Sequence, residues 1–330
     1  MLKRNRRTKF HNLHPHSAHD FAGIVRWKLG LASENSENSE NSDNSEMPAI
    51  QTPGKNWALR TPIEKPAAGS PDKAQIRLTW IGHSSFLIQH QGLNILTDPI
   101  FGDCQPIPVG RMRRSTPPGI RFADLPPIDH VLISHSHYDH LDLPTIRKLG
   151  NVVRYWAPEG LSRWFRRRGI TSCRELAWGQ SAQLSEGLSI HCVPAQHGSA
   201  RTLFDRNRSH WCGWVLKSAD RTAYFAGDTG YSPIFRELGE QFGGFDLAMI
   251  PIGAYNPRWL MHPVHLNPAD AVQVHLDVRS RLSIACHWGT FRLADEPPEE
   301  PPALLAQELA LARVDPAKFL AIRPGDAVEV

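Results

Sequence analysis

The segment 135–140, with the sequence His-Ser-His-Tyr-Asp-His, contains four side chains that could ligate metal ions. His135 and His137 are two residues apart, so on an extended chain their imidazoles point to the same side. Asp139 and His140 follow where we expect the chain to turn into a helix. Such a cluster can serve two cations, and imidazole with carboxylate but without thiolate favours zinc, with iron or manganese as alternatives. The alternative interpretation is a polar loop that holds no metal.

Three further candidate ligands, His197, Asp228 and His287, each follow an apolar run later in the chain. Alone, a histidine at such a place is more often structural, and an aspartate in Gly-Asp-Thr-Gly is more often a turn former. Their order after 135–140 changes the interpretation, because together they complete a set of ligands for two metals. A hydroxide shared by two cations would then be the nucleophile of a hydrolase, without any serine or cysteine nucleophile.

The elements that must position these residues are short β-rich runs that recur from Ile76 onward, with helical stretches between several of them. This interleaving predicts a layered α/β or α+β domain in which the candidate ligands follow strand ends. The predicted strands cover 77–82, 93–97, 130–134, 188–195, 222–227, 247–252 and 283–286, and the predicted helices cover about 142–150, 159–169, 232–242, 267–278 and 302–313.

The composition is that of an ordinary globular protein, with 330 residues, 41% hydrophobic and 21% charged. Five scattered cysteines without a Cys-X-X-Cys pair argue against a disulfide framework and against a thiolate zinc site. The net charge of +4 does not indicate nucleic-acid binding. We find no signal peptide and no apolar run long enough to span a bilayer, so we expect a cytoplasmic protein with peripheral membrane contact at most.

The first 75 residues differ in composition from the rest of the chain. Residues 1–46 combine a basic arm with a Ser-Glu-Asn tract at 33–46, which has nothing apolar to bury and is expected to be a disordered linker. Residues 47–75 are predicted to be an irregular lead-in, and 76–330 to be the catalytic domain. The arm is either a solvated tail or a surface for phospholipid headgroups or RNA. We expect that removing 1–46 leaves fold and catalysis largely unchanged.

Six segments together resemble the N-acylphosphatidylethanolamine-hydrolysing phospholipase D family of the metallo-β-lactamase superfamily, as a bacterial-type member. The ligand motifs are common to the superfamily, whereas LTDPIF and IPIGAYNPRW narrow the resemblance to this family. It covers about residues 76–326, roughly three-quarters of the chain. The segments are TWIGHSS at 79–85, LTDPIF at 96–101, LISHSHYDHLD at 132–142, FAGDTGY at 225–231, IPIGAYNPRW at 250–259 and HWGTF at 287–291.

The resemblance implies an α+β fold, a four-layer αββα sandwich with a dinuclear metal site at one edge of the sheets. It implies two zinc ions per chain, with iron or manganese as alternatives. Asp228 would bridge the two metals. His135, His137 and His197 would hold one metal, and Asp139, His140 and His287 would hold the other.

The implied reaction is hydrolysis of N-acylphosphatidylethanolamine-like phospholipids to phosphatidic acid and N-acylethanolamine through a metal-bridging hydroxide. Asp139, Asp228 and His265 are the catalytic candidates; His265 corresponds to a family histidine near the scissile phosphate, and its alternative role is that of a loop residue without chemistry. Asp98 is either an orienting partner of a ligand imidazole or an Asp-Pro turn residue. His83 is expected to be structural.

Substrate and partner recognition is less defined. Leu143 replaces a tyrosine that lines the substrate channel of the mammalian-type enzyme, which puts headgroup and acyl recognition in doubt. The stripe Leu161, Trp164 and Phe165 predicts either a helix packed on the core or a basic amphipathic helix on an anionic bilayer. Tyr255 and Trp259–Met261 are expected to form an aromatic lip where a lipid chain enters, with core packing as the alternative for Trp259. The resemblance also implies a homodimer.

Three other functions compete with the phospholipase. A lactonase or small phosphoester hydrolase would use the same scaffold and metals. A nuclease would too, but the sequence has no RNA-binding module and no long basic arm, so no nucleic-acid partner is expected. A non-enzymatic metal-binding regulator is disfavoured by seven candidate ligands, because one structural metal needs about four.

Overall fold

A computed structural model describes residues 9–14, 74–105, 111–202 and 204–330. The strands of these residues form two seven-stranded sheets. The first sheet contains β1 (Arg77–Gly82), β2 (Ser85–His90), β3 (Leu93–Thr97), β4 (His130–Leu132), β5 (Arg154–Pro158), β6 (Cys173–Leu176) and β14 (Ala327–Glu329). The second contains β7 (Ser181–Ser185), β8 (Leu188–Val193), β9 (Gly213–Lys217), β10 (Thr222–Phe225), β11 (Phe245–Pro251), β12 (Ser280–Cys286) and β13 (Phe319–Leu320).

Both sheets are mixed, and each has an antiparallel half followed by a parallel half. The first has the order β14-β1-β2-β3-β4-β5-β6, antiparallel from β14 to β3 and parallel from β3 to β6. The second has the order β13-β12-β11-β10-β9-β8-β7, antiparallel from β7 to β10 and parallel from β10 to β13. Since parallel strands end at the same edge of a sheet, residues that follow them are brought together.

Helices follow several of the parallel strands. They are α1 (Leu143–Leu149), α2 (Ser162–Arg166), α3 (Ile234–Phe242), α4 (Arg258–Met261), α5 (Pro268–Asp277) and α6 (Glu300–Leu311). The start of α1 is fixed by Asp142, whose carboxylate accepts a hydrogen bond from the backbone N–H of Thr145 at 3.0 Å. Asn267 and Asp270 form a capping box at the start of α5.

The core has the layers expected of an αββα sandwich. Trp80 and Phe86 of the first sheet share one buried cluster with Trp214 and Phe225 of the second, so the two sheets pack face to face. The opposite face of the first sheet forms a separate cluster with α1 and α2, and α3, α5 and α6 pack with the second sheet. Alternate residues of each strand supply the two faces, as a strand covered on both sides requires. The predicted fold class is confirmed.

The helix predicted at 159–169 is shorter in the structure, where α2 covers only Ser162–Arg166. Gly160 and Gly169 on either side adopt positive φ angles of 95° and 78°, which end the helical conformation. Leu161 and Phe165 are fully buried, with 2% and 0% exposure. Leu161 and Phe165 therefore pack on the core, and Trp164 lies half-buried against the same cluster.

The predicted strand boundaries agree with the structure in part, and the N-terminal segments are largely outside the described residues. The boundaries of β1 and β3 are those predicted, while β12 begins three residues earlier than expected, at Ser280. The Ser-Glu-Asn tract at 33–46 and nearly all of the 47–75 lead-in lie outside the described residues. Within the part of the chain that the structure describes, no helix combines the length and apolarity that a membrane span requires.

Candidate metal centre

The candidate ligands lie at one edge of the two sheets, just beyond the strands that carry them. The 135–140 segment follows β4 of the first sheet, whereas His197, Asp228 and His287 follow β8, β10 and β12 of the second. The two sheets are hydrogen-bonded to each other immediately before the segment: Cys212 N–H donates to the Ser134 carbonyl at 2.9 Å. All seven residues predicted as ligands are brought together here.

Three imidazole nitrogens form the first group. His135 Nε2 lies 2.8 Å from His137 Nδ1, and His197 Nε2 lies 3.2 Å from the same atom. The Oδ2 atom of Asp228 lies 3.9 Å from His135 Nε2 and 3.8 Å from His197 Nε2. These four side chains therefore surround one common point, in the combination of ligands that suits zinc or iron.

The second group contains Asp139, His140 and His287, again with Asp228. His140 Nε2 and His287 Nε2 lie 3.2 and 3.1 Å from Asp228 Oδ2. The same two nitrogens lie 3.3 and 3.6 Å from Asp139 Oδ2. The Oδ2 atom of Asp228 thus faces the Nε2 atoms of imidazoles in both groups, as a carboxylate that contacts two cations would.

The hydrogen-bonding state of these atoms fits a cation. The Nδ1 atom of His197 donates to the Val264 carbonyl at 2.9 Å, so its Nε2 carries a lone pair directed at the group. Asp228 Oδ1, His140 Nε2 and His287 Nε2 are buried and have no hydrogen-bond partner among the described residues. Buried polar atoms normally have a partner, and converging lone pairs and carboxylate oxygens without one are what a metal ion satisfies.

Asp98 orders the imidazoles of the first sheet. Its Oδ2 accepts a hydrogen bond from His140 Nδ1 at 2.7 Å and another from the Ser134 hydroxyl. Because the Ser134 hydroxyl donates to Asp98, its oxygen accepts from His135 Nδ1 at 2.9 Å. The Nε2 atoms of both histidines are therefore left as acceptors facing the centre. Of the two alternatives for Asp98, the structure favours the orienting role.

His83 is a part of the centre that the sequence interpretation missed. The sequence indicated only a structural role, yet its Nε2 donates to Asp139 Oδ2 at 2.9 Å and its side chain is buried. His83 follows β1 with a positive φ of 55°, at the same polar strand end as the ligands. That position at a polar strand end is the signal that the sequence offers for His83.

The charges of the centre are strongly coupled. Burial lowers the pKa of His140, but the Asp228 and Asp139 carboxylates outweigh it and hold that pKa well above its usual value. For His287, burial acts in the same direction and Asp228 opposes it, which raises the pKa to about 9. The two aspartates show the reverse: burial opposes ionisation, yet the neighbouring imidazoles hold both pKa values well below the usual range. The buried carboxylates therefore favour positive charge at this point, which a bound cation would supply.

At His197 and His137 the effect of burial prevails, because the nearby carboxylates oppose it only in part. Burial lowers the pKa of His197 to about 3 and that of His137 to about 4. These imidazoles are neutral at physiological pH, as a metal ligand must be.

The backbone around His287 is sterically constrained. His287 adopts a positive φ of 62°, which is rare for a residue with a side chain. A Cβ added at Gly253 would lie 2.2 Å from the His287 carbonyl oxygen, so only glycine fits opposite this ligand. The Gly253 of the IPIGAYNPRW segment therefore supports the ligand turn directly.

Arg201 fixes the 135–140 loop from the other side. Its guanidinium donates to the carbonyls of Ser136 and Leu141, both at 2.8 Å. The same group lies 4.0 Å from the centroid of the Tyr138 ring, and the Tyr138 hydroxyl donates to the Arg201 carbonyl at 2.8 Å. Sequence reasoning gave no signal for this contact.

His265 lies beside the centre. Its ring centroid is 5.1 Å from that of His197 and 5.6 Å from that of His287. The side chain is half-buried, and burial lowers its pKa to about 3, so it is neutral at physiological pH. Its position agrees with a role next to the reacting group, but its neutral state suits hydrogen-bond donation better than delivery of a proton.

The residues of the predicted aromatic lip are buried or half-buried. Tyr255 is 4% exposed and donates a hydrogen bond from its hydroxyl to Glu300, and Leu260 is 8% exposed. Trp259 and Met261 are half-buried. Tyr255 and Leu260 are therefore core residues, and the expectation of a lip is wrong for these two.

Comparisons with known proteins agree with this centre. Residues 93–288, more than half of the chain, match the family described as beta-lactamase superfamily domain. The chain is 39% identical over 250 residues to N-acyl-phosphatidylethanolamine-hydrolyzing phospholipase D 1 of Caenorhabditis elegans, covering 72% of this chain and 70% of that protein. It is 35% identical over 246 residues to the mitochondrial N-acyl-phosphatidylethanolamine-hydrolyzing phospholipase D of Saccharomyces cerevisiae, covering 71% of this chain and 53% of that protein.

Among solved structures, the chain resembles Igni18, a metallo hydrolase of Ignicoccus hospitalis, with 21% identity and a TM-score of 0.60. That match covers 78% of this chain and 98% of the other. At this identity the likeness supports the fold alone. The family assignment rests on the sequence relatives, and the metal dependence rests on the His/Asp cluster. The chain belongs to the beta-lactamase superfamily and, within it, is a metal-dependent hydrolase of the N-acyl-phosphatidylethanolamine-hydrolyzing phospholipase D family.

Proposed function

We propose that this protein is a zinc-dependent phospholipase D that hydrolyses N-acylphosphatidylethanolamine-like lipids to phosphatidic acid and an N-acylethanolamine. The observation that carries the proposal is the position of Asp228 between two groups of imidazoles, in a chain 39% identical to a protein named for this reaction. A two-metal arrangement is the usual one for in-line displacement at phosphorus.

His135, His137 and His197 would hold one cation, Asp139, His140 and His287 the other, and Asp228 would contact both. When bound, the two cations would supply a hydroxide nucleophile near neutral pH and neutralise charge on the phosphoryl group. Water adds to phosphorus, the bond from phosphorus to the ethanolamine oxygen breaks, and the leaving oxygen takes up a proton.

His265 would contribute by donating a hydrogen bond to the phosphoryl or the leaving oxygen. Burial keeps its ring neutral, so it carries one N–H and no charge to be lost at physiological pH. A preorganised neutral donor of this type stabilises charge that develops in the transition state.

A lipid substrate also requires an apolar surface near the centre. Among the described residues, Leu13 and Phe204 are two of the exposed large hydrophobic side chains, with 56% and 83% exposure. Leu13 directly follows Asn12, whose side chain hydrogen-bonds to the His197 backbone, and Phe204 lies in the loop between His197 and Trp211. We propose that these two side chains touch the membrane while the headgroup reaches the metals.

The decisive experiment measures metal content and lipid hydrolysis on the same preparation of the full chain. Mass spectrometry would follow phosphatidic acid and N-acylethanolamine released from vesicles of N-acylphosphatidylethanolamine, phosphatidylethanolamine and phosphatidylcholine. We expect about two zinc ions per chain and products from the N-acylated lipid, and neither product from Asp228→Ala.

The outcomes distinguish the alternatives. Two metals without lipid cleavage would overturn the phospholipase assignment and leave a lactonase or small phosphoester hydrolase, for which a panel of lactones and p-nitrophenyl phosphodiesters is the next test. Fewer than one metal per chain after zinc supplementation would overturn the dinuclear site itself.

A further inference from the structure

Residues 9–14 lie against the metal centre, and we call them the N-terminal strap. Inside and outside positions alternate along it: Phe10, Asn12 and His14 face the domain, whereas Lys9, His11 and Leu13 are exposed. This period of two is typical of an extended segment bound along one side. The strap therefore lies along the loop that carries His197, with Asn12 and His14 bonded to residues of that loop.

Asn12 makes the central contact of the strap. Its Nδ2 donates to the His197 carbonyl at 2.9 Å, and its Oδ1 accepts from the His197 backbone N–H at 3.1 Å. The side-chain amide thus satisfies both backbone polar groups of one residue, as a neighbouring strand would. The two residues are 185 positions apart in the chain, so this contact is tertiary and not a local turn.

The orientation of the Asn12 amide is fixed by a third partner. Trp211 Nε1 donates to Asn12 Oδ1 at 2.8 Å. Since Trp can only donate and a carbonyl can only accept, the oxygen must face Trp211 and the nitrogen must face the His197 carbonyl. No residue with a different donor and acceptor pattern reproduces this set.

The strap is also held on both sides of Asn12. Phe10 N–H donates to the Asn207 carbonyl at 2.9 Å, and its ring stacks on His210 with centroids 4.4 Å apart. On the other side, Gln196 Nε2 donates to the His14 carbonyl at 3.1 Å. The contacts of Phe10 and His14 therefore hold Asn12 in place against His197 from both sides.

We propose that Asn12 is a positioning residue for the metal centre, holding His197 so that its imidazole nitrogen stays directed at the cation. The ring of His197 is oriented by the Val264 carbonyl, and its backbone by Asn12, so ring and main chain are each restrained. This inference rests on the proposed role of His197 as a ligand. It also changes the expectation for residues 1–46, because an N-terminal deletion that includes the strap removes a support of the centre.

The test compares the full-length chain with Asn12→Leu, which keeps the side-chain size but loses the amide. His11→Ala, one residue away on the exposed side, is the matched control. Zinc release into a chromophoric chelator and zinc affinity by competition are measured first, and the thermal midpoint of the metal-free proteins second. Partners behind a metal ligand typically change metal affinity by about 10–100-fold. We expect Asn12→Leu to weaken the binding of one zinc ion by that factor and to leave the affinity for the second within about twofold of wild type. In His11→Ala, the affinities for both zinc ions should stay within about twofold of wild type.

A second variant separates positioning from general stability. Phe10→Ala loosens the strap without touching the His197 backbone, and it should lower the metal-free thermal midpoint with a smaller loss of zinc affinity. Equal zinc affinity in wild type and Asn12→Leu would overturn the inference while leaving the proposed function intact. So would a loss that merely scales with the midpoint in both variants. A wild-type chain that binds no zinc would instead overturn the proposed function.

Discussion

His140 donates a hydrogen bond from Nδ1 to Asp98 Oδ2 at 2.7 Å, and neither side chain has any exposure to solvent. The same carboxylate also reaches His135, through the Ser134 hydroxyl. One buried carboxylate therefore sets the tautomers of imidazoles belonging to both groups.

We expect Asp98→Asn to lower metal affinity and activity by about 10–100-fold, because an amide offers a weaker acceptor and can turn its donor toward His140. Metal content after dialysis against a chelator and the rate of lipid hydrolysis measure the effect. Asp103→Asn is a control, since that carboxylate pairs with exposed Arg111. If Asp98→Asn retains metal and activity at the wild-type level, the tautomer argument is wrong.

Replacing Asp228 tests the bridging geometry. Asp228→Ala removes the carboxylate that faces the Nε2 atoms of both groups, and we expect loss of at least one metal and a fall in activity of more than about 100-fold. Elemental analysis of the purified protein gives the metal count. A fully metallated and active variant would contradict the bridging role.

His265→Gln tests a role in chemistry apart from metal binding. We expect kcat to fall by about 100-fold or more while metal content stays at the wild-type level, since removal of one preorganised donor has effects of this size. Steady-state kinetics on vesicles, together with elemental analysis, separates the two quantities. Unchanged kcat would assign His265 to the loop structure alone.

The titration of His210 makes the free energy of unfolding depend on pH. Burial between Phe10 and Trp178 lowers its pKa to about 4, and neither ring nitrogen has a hydrogen-bond partner among the described residues. Above pH 6.5 the ring is neutral in both folded and unfolded chains and contributes nothing. Between pH 6.5 and 4 the unfolded chain binds the proton first, so the free energy of unfolding falls, by up to about 3 kcal/mol.

His210→Phe keeps an aromatic ring in the stack and removes the titration. The metal-free variant should therefore lose less stability than metal-free wild type when the pH is lowered from 7 to 4.5 in urea unfolding experiments. Identical pH profiles would show that other groups, such as the ligand histidines, account for the acid sensitivity.

The side chains that meet at the centre could be predicted from the sequence, because metal ligation demands particular side chains at particular spacings. The 135–140 segment and the later His, Asp and His stand at strand ends, and strand ends are visible as the points where apolar runs stop. The structure brings these residues into one cluster. The αββα layering followed from the resemblance rather than from the pattern of strands.

The supports of the centre could not be predicted in the same way. Asn12, Arg201 and His83 act through contacts with residues far away in the chain, at separations of 185, 65 and 56 positions. No local spacing encodes such pairs. Similarly, the sequence did not distinguish a core-packed stripe at Leu161 and Phe165 from a membrane-facing one, because both use the same apolar period.

The division of the donor atoms between the two sheets has a thermodynamic consequence. The 135–140 segment belongs to the first sheet, and His197, Asp228 and His287 belong to the second. A cation held by both sets would act as a cross-link between the layers that exists only in the folded chain. Its binding free energy is then added to that of folding, about 2.7 kcal/mol for each site at a free concentration 100 times the Kd. The resistance of this protein to heat and to proteases would therefore rise and fall with the concentration of free metal around it.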